Sequence, residues 1–339
     1  MRVSRWVIAA GVVALAAAIA VSSALGSART PTAQKAGYTA GIVSDVGLFN
    51  DNGFNKNQLI GLRKAINKIH GVAHSYLSHS SSDYDPNFQQ AVSDGNKLIV
   101  AAGYLLGDTV KKYAQHYPNI KFAITDDPVS AIGGLPNEEG ITYATQQGGC
   151  LVGVLAAKMA QSMGHKKIGV VAGIKLPSVD TYIAGYKYCA NKAVKGTKTL
   201  VQYANSFTDT TACSNLAQNE IGSGAQVIFQ VAGLCGDAAL KEASKLHKWG
   251  IGVDADEYNV AKRILTSATK LTGTGVYDTV LAAASGHFKG GKNAVFNVKN
   301  GGVGVGKISP KVKPAWIKLM NTFKSKIIHG KLKPPTVLH

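Results

Sequence analysis

The chain has 339 residues, 45% of them hydrophobic and 17% charged, a composition that excludes a disordered protein and supplies apolar mass for two lobes rather than one. Lys and Arg exceed Asp and Glu by 18, a balance that favours an anionic partner or surface. The lysines are scattered, with mild clusters at Lys111-Lys112, Lys166-Lys167 and along 311–333, and no long basic run is interleaved with aromatics, so nucleic-acid binding is not predicted.

Arg2 and Arg5 precede an apolar run over 7–20, and small residues follow at Ser22-Ser23-Ala24 and Gly26-Ser27-Ala28. This is the pattern of a secretory signal peptide, with Ala24 and Ala28 both suited to precede a cleavage site. Residues 6–25 are also long enough to span a bilayer uncleaved, at roughly 20 residues. Residues 1–28 are therefore read as a signal peptide or N-terminal anchor that exports the chain to the periplasm or the outer face of the cytoplasmic membrane. No Cys lies near this segment for lipid attachment. Residues 29–37 read as a linker.

Strand and helix patterns then alternate. A strand at 38–43 opens into a polar, Gly-bearing loop that carries Asp45, Asn50, Asp51, Phe54 and Asn55, and a helix follows at 55–69. Further strands are predicted at 73–77, 98–101, 121–125 and 141–144, with helices at 86–94 and 107–116. From Gly149 the same grammar restarts. Helices are predicted at 150–162, 179–195, 212–222 and 237–248, with strands at 167–171, 199–204, 225–231 and 250–253. Later elements at 264–267, 275–286, 295–298 and 302–305 are too few for a third domain, and a helix at 315–329 ends the chain. Repeated strand–helix units imply parallel sheets with right-handed crossovers. The fold class predicted is α/β, with two doubly wound parallel-sheet lobes joined by a hinge. The first lobe takes 38–145 plus about 257–292, and the second takes 146–256 plus about 293–339.

All four cysteines, Cys150, Cys189, Cys213 and Cys235, lie beyond the export segment. An even number in an oxidising compartment suggests disulfides. Cys213 opens a helix and Cys235 follows the next strand. A helix antiparallel to the strand it feeds brings the two together. Cys150 with Cys189 is left by subtraction, and buried thiols are the alternative reading.

Several chemistries are set aside. The run Gly301-Gly302-Val303-Gly304-Val305-Gly306-Lys307 resembles a phosphate-binding loop, but Ile308 stands where Ser or Thr is needed and Pro310 follows where a helix should begin. There is no Gly-x-Ser-x-Gly elbow, no His-Glu-x-x-His and no zinc spacing among the nine His. No catalytic residue, metal or cofactor is predicted, and the chain is not read as an enzyme. What recurs is polar or aromatic residues directly after strands: Asp45 to Asn55, Asp126-Asp127, Ala172 to Tyr182, Asn205 to Asp209, Gly233, and Asp254 to Asp256. Carboxylates accept paired hydrogen bonds from hydroxyls or ring N–H groups, and aromatic faces take a flat ring. Each Asp or Asn alone would be an ordinary helix cap. Six such loops in register favour a ligand site at the carboxyl ends of the strands.

These residues resemble the basic membrane protein family, the nucleoside-binding branch of ABC-importer substrate-binding proteins. The opening Asp45-Val46-Gly47, Asp51 and Phe54-Asn55 follows the family spacing, with Gly53 in place of Ser. Further matches run through Tyr104, Tyr117-Pro118, Asp126, Gly153, Tyr182, Phe207, Asp209, Gly233, Asp254, Asp256 and Lys270. The resemblance implies a type I periplasmic-binding fold that closes on a purine or related nucleoside and presents it to an ABC permease. By the same resemblance Phe54 stacks on the base, opposed by Tyr182 or Phe207, and Asp126 reads the base edge. Asp254 and Asp256 take ribose hydroxyls, with Lys270 and Asp45 supporting. A sugar or signalling molecule on the same clamp is the alternative, followed by a nucleoside-processing enzyme.

Overall fold

Runs such as Leu-Ile-Val-Ala-Ala at 98–102 are apolar at every position, the mark of parallel strands covered on both faces. In the computed structural model, which describes residues 37–338, that run is a fully buried strand, β3. The first sheet holds six strands. They are β1 (Thr39–Ser44), β2 (Val72–Tyr76), β3 (Leu98–Ala102), β4 (Lys121–Thr125), β5 (Glu138–Tyr143) and β11 (Lys292–Phe296), in the order β11-β5-β4-β3-β1-β2. The second is built from β6 (Lys167–Ala172), β7 (Lys198–Tyr203), β8 (Val227–Val231), β9 (Trp249–Asp254), β10 (Ile264–Lys270) and β12 (Val303–Val305), in the order β12-β10-β9-β8-β6-β7. The two orders correspond strand for strand, so β4 and β9 hold equivalent places in the two lobes, as do β5 and β10.

Helices cover both faces of each sheet. On the first, α1 (Phe54–Lys68) and α9 (Thr272–Ala284) pack together on one side. The other side carries α2 (Tyr84–Ser93), α3 (Gly107–His116) and the short α4 (Val129–Ile132), around Phe88, Tyr113 and Phe122. On the second sheet, α5 (Thr145–Ser162), α6 (Pro177–Ala193) and α10 (Pro314–Ile328) form one layer. The other layer is α7 (Thr210–Gly222) with α8 (Gly233–Lys245).

The chain passes between the lobes three times: from β5 into α5, from β10 into α9, and from β11 to β12. These passages are bonded to one another. Ala144 N–H donates to the Phe296 carbonyl at 2.8 Å, the Tyr143 hydroxyl donates to the Leu271 carbonyl at 3.3 Å, and the Tyr143 and Phe296 rings stack with centroids 5.0 Å apart.

Several boundaries differ from the sequence reading. Residues 264–270 join the second sheet, in parallel register with β9 (Ser267 opposite Gly252), so this part of 257–292 does not belong to the first lobe. Conversely, 292–296 pairs with β5 in the first sheet. β11 completes an edge and β10 lies between β9 and β12, and the residues of neither strand say which sheet has an open neighbour. β12 runs antiparallel to β10, the one departure from parallel pairing among these strands. Helix α5 begins at Thr145, five residues before the predicted start, because Gly148 and Gly149 serve packing rather than a turn. A Cβ on Gly149 would lie 2.1 Å from the Tyr182 carbonyl oxygen, so only glycine lets the α5 and α6 backbones touch there. Cys150 and Cys189 bridge the same crossing, with Cα atoms 4.9 Å apart. Gly233 to Gly236, read as a loop, is the first turn of α8. This places Cys235 beside Cys213 at the start of α7, bonded with Cα atoms 5.5 Å apart. The predicted export segment and most of the linker, residues 1–36, lie outside the described residues. Among the described residues no helix is long and apolar enough to cross a membrane.

Candidate functional site

Both sheets present their carboxyl ends to one narrow cavity of about 60 Å³. The first lobe contributes the loop after β1, Gly103 and Tyr104 after β3, and Asp126 after β4. The second contributes the start of α6, Phe207 after β7, Gly233 after β8, Asp254 at the end of β9 and Lys270 at the end of β10. Asp45, Asp51, Phe54, Asn55, Asp126, Tyr182, Phe207, Gly233, Asp254 and Lys270 all line it.

Lys270 is the centre. It is buried, and its Nζ lies 2.7 Å from Asp126 Oδ2 in the first lobe and 3.3 Å from Asp254 Oδ1 in its own. The same ammonium sits 4.4 Å from the centroid of the Phe54 ring, within cation–π range. Burial alone would lower the Lys270 pKa, but the Asp126 and Asp254 carboxylates outweigh it and hold the ammonium protonated. Asp126 and Asp254 end the equivalent strands β4 and β9, and both take left-handed backbone angles, φ 70° and 61°. Non-glycine residues seldom do so, and Asp is among those that tolerate it best. The chain breaks each strand sharply at this point and turns both carboxyl groups to the lysine.

Around this triad the first loop is tied internally. Asp45 Oδ1 accepts from Gly47 N–H at 2.8 Å and from Asn55 Nδ2 at 3.0 Å. Burial pushes its carboxyl up to about 6 against those two hydrogen bonds. Asn55 Oδ1 is buried and accepts no hydrogen bond among the described residues, which leaves an acceptor in the cavity wall that costs free energy unless a donor meets it. Asp51 spends its two oxygens on the start of α1, accepting from Asn55 N–H and Lys56 N–H, both at 2.9 Å. It therefore acts as a helix cap, and burial raises its carboxyl to about 7.

The aromatic residues differ. Tyr182 is 1% exposed, its hydroxyl donates to Asp254 Oδ1 at 3.1 Å, and its ring stands edge-on to Phe229. Phe207 is only half-buried, and its ring lies on Gly173, where a Cβ would approach to 2.4 Å. Phe54 opens α1 and remains partly exposed.

Asp256 is the exception among the expected site residues. It does not line the cavity, and its Oδ2 accepts the Lys307 N–H at 3.1 Å. The turn at Asp254 carries the chain away from the cavity before Asp256 is reached. Gly53, which stands in place of the family Ser, is also outside the lining, and a Cβ built on it would lie 3.6 Å from Asp254 Cβ and the Val253 carbonyl oxygen of the other lobe. Sequence reasoning passed over Gly103 as a site residue and took in Leu176, Ser178 and Val179 only as part of the Ala172 to Tyr182 loop. Gly103 follows β3 at its carboxyl end, so the rule applied to the other loops would have found it. Leu176 and Val179 are apolar residues at a helix start and carry no polar or aromatic signal of their own. Gly103 has φ 126°, and a Cβ there would come 2.5 Å from Asp45 Oδ2 and 3.3 Å from the Phe54 ring.

Among the described residues no cluster of His, Cys, Asp and Glu could hold a metal ion. The arrangement brings two lobes, partly exposed rings and a charged triad to one cavity, which is the equipment of a binding clamp.

Comparison with known proteins agrees. The sequence pattern of PnrA-like ABC transporter substrate-binding proteins, Bmp, matches residues 38–336. The chain is 32% identical over 326 residues to the ABC transporter nucleoside-binding protein BmpA of Lactococcus lactis subsp. cremoris, covering 89% of this chain and 90% of that one. It is 32% identical over 295 residues to basic membrane protein A1 of Borrelia garinii subsp. bavariensis, covering 85% and 86%. Its fold superposes on a solute-binding protein of an ABC transporter system from Aeropyrum pernix K1 with a TM-score of 0.79 at 23% identity, over 88% of this chain and 94% of the other. The two-lobed fold is thus the type I periplasmic-binding fold, and the chain belongs to the Bmp family, the PnrA-like substrate-binding proteins of ABC transporters rather than enzymes.

Proposed function

We propose that the protein is the extracytoplasmic receptor of an importer and captures a purine or related nucleoside between its lobes. The observation that carries this reading is the Lys270 triad, with the Phe54 ring against its ammonium, in a cavity that the partly exposed rings of Phe54 and Phe207 line from opposite lobes. A flat base stacks between those rings, because rings from separate elements can open and close on a ligand face. Phe207 is the better partner for Phe54, since the ring of Tyr182 is taken up by the core and by Asp254. Asn55 Oδ1 offers an acceptor for a base N–H. Asp254 and Lys270 together supply acceptor and donor for sugar hydroxyls, and Asp126 reads the base edge from the facing strand end. The likeness to a protein named as nucleoside-binding supports the ligand class.

Closure is driven by the difference in ligand affinity between open and closed forms, and the closed form then meets a membrane permease. Isothermal calorimetry against adenosine, guanosine, inosine and uridine tests the reading. Heat with at least one purine nucleoside, weakened in Phe207→Ala and little changed in Asp256→Ala, is the expected result. No heat with any of the four rejects a nucleoside ligand.

A further inference from the structure

The positive charge of this chain is not shared between its lobes. The first lobe, 37–144 with 271–302, carries 11 Lys and Arg against 11 Asp and Glu. The second, 145–270 with 303–338, carries 22 against 8, and its final stretch 303–338 contains eight lysines and no acidic residue. Within the second lobe the asymmetry repeats. The α7–α8 layer has Glu220, Asp237 and Glu242 among its lysines. The α5–α6–α10 layer and the segment 329–338 contain a single acidic residue, Asp180, which is paired with Lys175 at 2.9 Å. On this layer Lys192, Lys195, Lys313, Lys318, Lys326, Lys331 and Lys333 are exposed. A shallow groove along the outer side of α10 is walled by Lys318, Lys326 and Lys331, with Thr322, Ser325 and His329 between them.

We propose that this face docks on anionic lipid headgroups. The charge is spread over α6, α10 and a tail rather than gathered at one point, which suits a broad surface of one sign. Arg is absent from it, its Trp316 and Phe323 are buried, and its half-buried Tyr188 ring is covered by the Lys192 ammonium 4.9 Å from the centroid. It therefore lacks the planar forks and stacking rings by which proteins hold nucleic acid, and the aromatic or Arg anchors that dominate protein–protein contacts. Hydroxyls interleaved with lysines offer hydrogen bonds to phosphate oxygens. Val337, 59% exposed and lining a groove with Lys192 and Lys198, supplies an apolar tip that can enter the headgroup layer. Membrane lipid is also the anionic surface within reach of a substrate-binding protein that serves a membrane transporter.

The test is cosedimentation of the full chain with phosphatidylglycerol-containing and with pure phosphatidylcholine vesicles, at low and at high salt. Any contribution of the N-terminal apolar segment is common to all proteins compared. Against the parent, one variant carries Lys318, Lys326, Lys331 and Lys333 changed to Gln. A control carries the same change at four exposed first-lobe lysines, Lys97, Lys111, Lys292 and Lys299. The expected result is a preference for anionic vesicles that falls on the order of tenfold or more in the second-lobe variant. It should fall much less in the control and be largely removed by 1 M salt, where the screening length is about 3 Å. Unchanged melting temperatures show that both variants fold. Equal losses in the two variants, no preference for anionic vesicles, or binding to duplex DNA in place of vesicles would each overturn the proposal. Nucleoside calorimetry on the same proteins keeps this outcome separate from the ligand assignment.

Discussion

Lys270 is the residue on which the cavity depends, because its one positive charge answers two carboxylates in a buried space. Replacing it with Met leaves Asp126 and Asp254 facing each other across the lobes. Breaking a buried pair in this way costs about 3–5 kcal/mol, so Lys270→Met should unfold at markedly lower denaturant and lose ligand affinity, read by urea melts and calorimetry. Gly103→Ala makes a narrower prediction. Its Cβ would displace Asp45 and Phe54 and strain a backbone at φ 126°, so affinity should fall by roughly tenfold, about 1.4 kcal/mol. An unchanged affinity would remove Asp45 and Phe54 from the ligand's surroundings. Neither residue's importance was legible at this level. The sequence placed Lys270 near the site by resemblance and gave it a supporting role, while the charge balance needed three strand ends to meet.

At the scale of the element, Glu220 on α7 is buried against Gly169 of β6, and burial pushes its carboxyl up to about 9. The native state therefore binds a proton that the unfolded state releases near the ordinary Glu pKa of about 4.3. Where the native state binds more protons, stability falls as pH rises. The protein should lose stability progressively between about pH 4.3 and 9 through this group. Glu220→Gln should remove that slope, its melting temperature exceeding the parent's increasingly toward pH 9 and converging with it below pH 4. The two disulfides belong to the same scale. They close loops with sequence separations of 39 and 22 residues, worth about 3–4 kcal/mol each by chain entropy. Cys150→Ser/Cys189→Ser and Cys213→Ser/Cys235→Ser should each lower the melting temperature, and the oxidised parent should titrate no free thiol. The pairing of Cys213 with Cys235 was legible because both precede or follow neighbouring elements in one lobe. Helix α5 was not fully legible. Its glycines carry helix-breaking propensity, and only the α6 backbone pressed against them shows why they are there.

Across the whole molecule the lobes meet outside the cavity as well. The Asn52 side chain, on the first lobe's ligand loop, donates to the carboxylate of Asp237 on α8 of the second. Removing it with Asn52→Ala should speed ligand release several-fold, the equivalent of about 0.5–1.5 kcal/mol, without altering any residue that lines the cavity. Stopped-flow dissociation measures this directly, and an unchanged off-rate would mean the contact does not hold the clamp shut. By itself the sequence determined the alternation of strands and helices, the two parallel sheets, and the placing of polar loops at strand ends. Those features follow from local periodicity and from the short reach of turns. Only the tertiary structure decided that β10 and β11 exchange places between lobes, that Asp256 turns away while Asp254 turns in, and that the charge gathers on one face of one lobe. Each of these depends on which segments, far apart in the chain, come to share a surface, and no local pattern of residues carries that information.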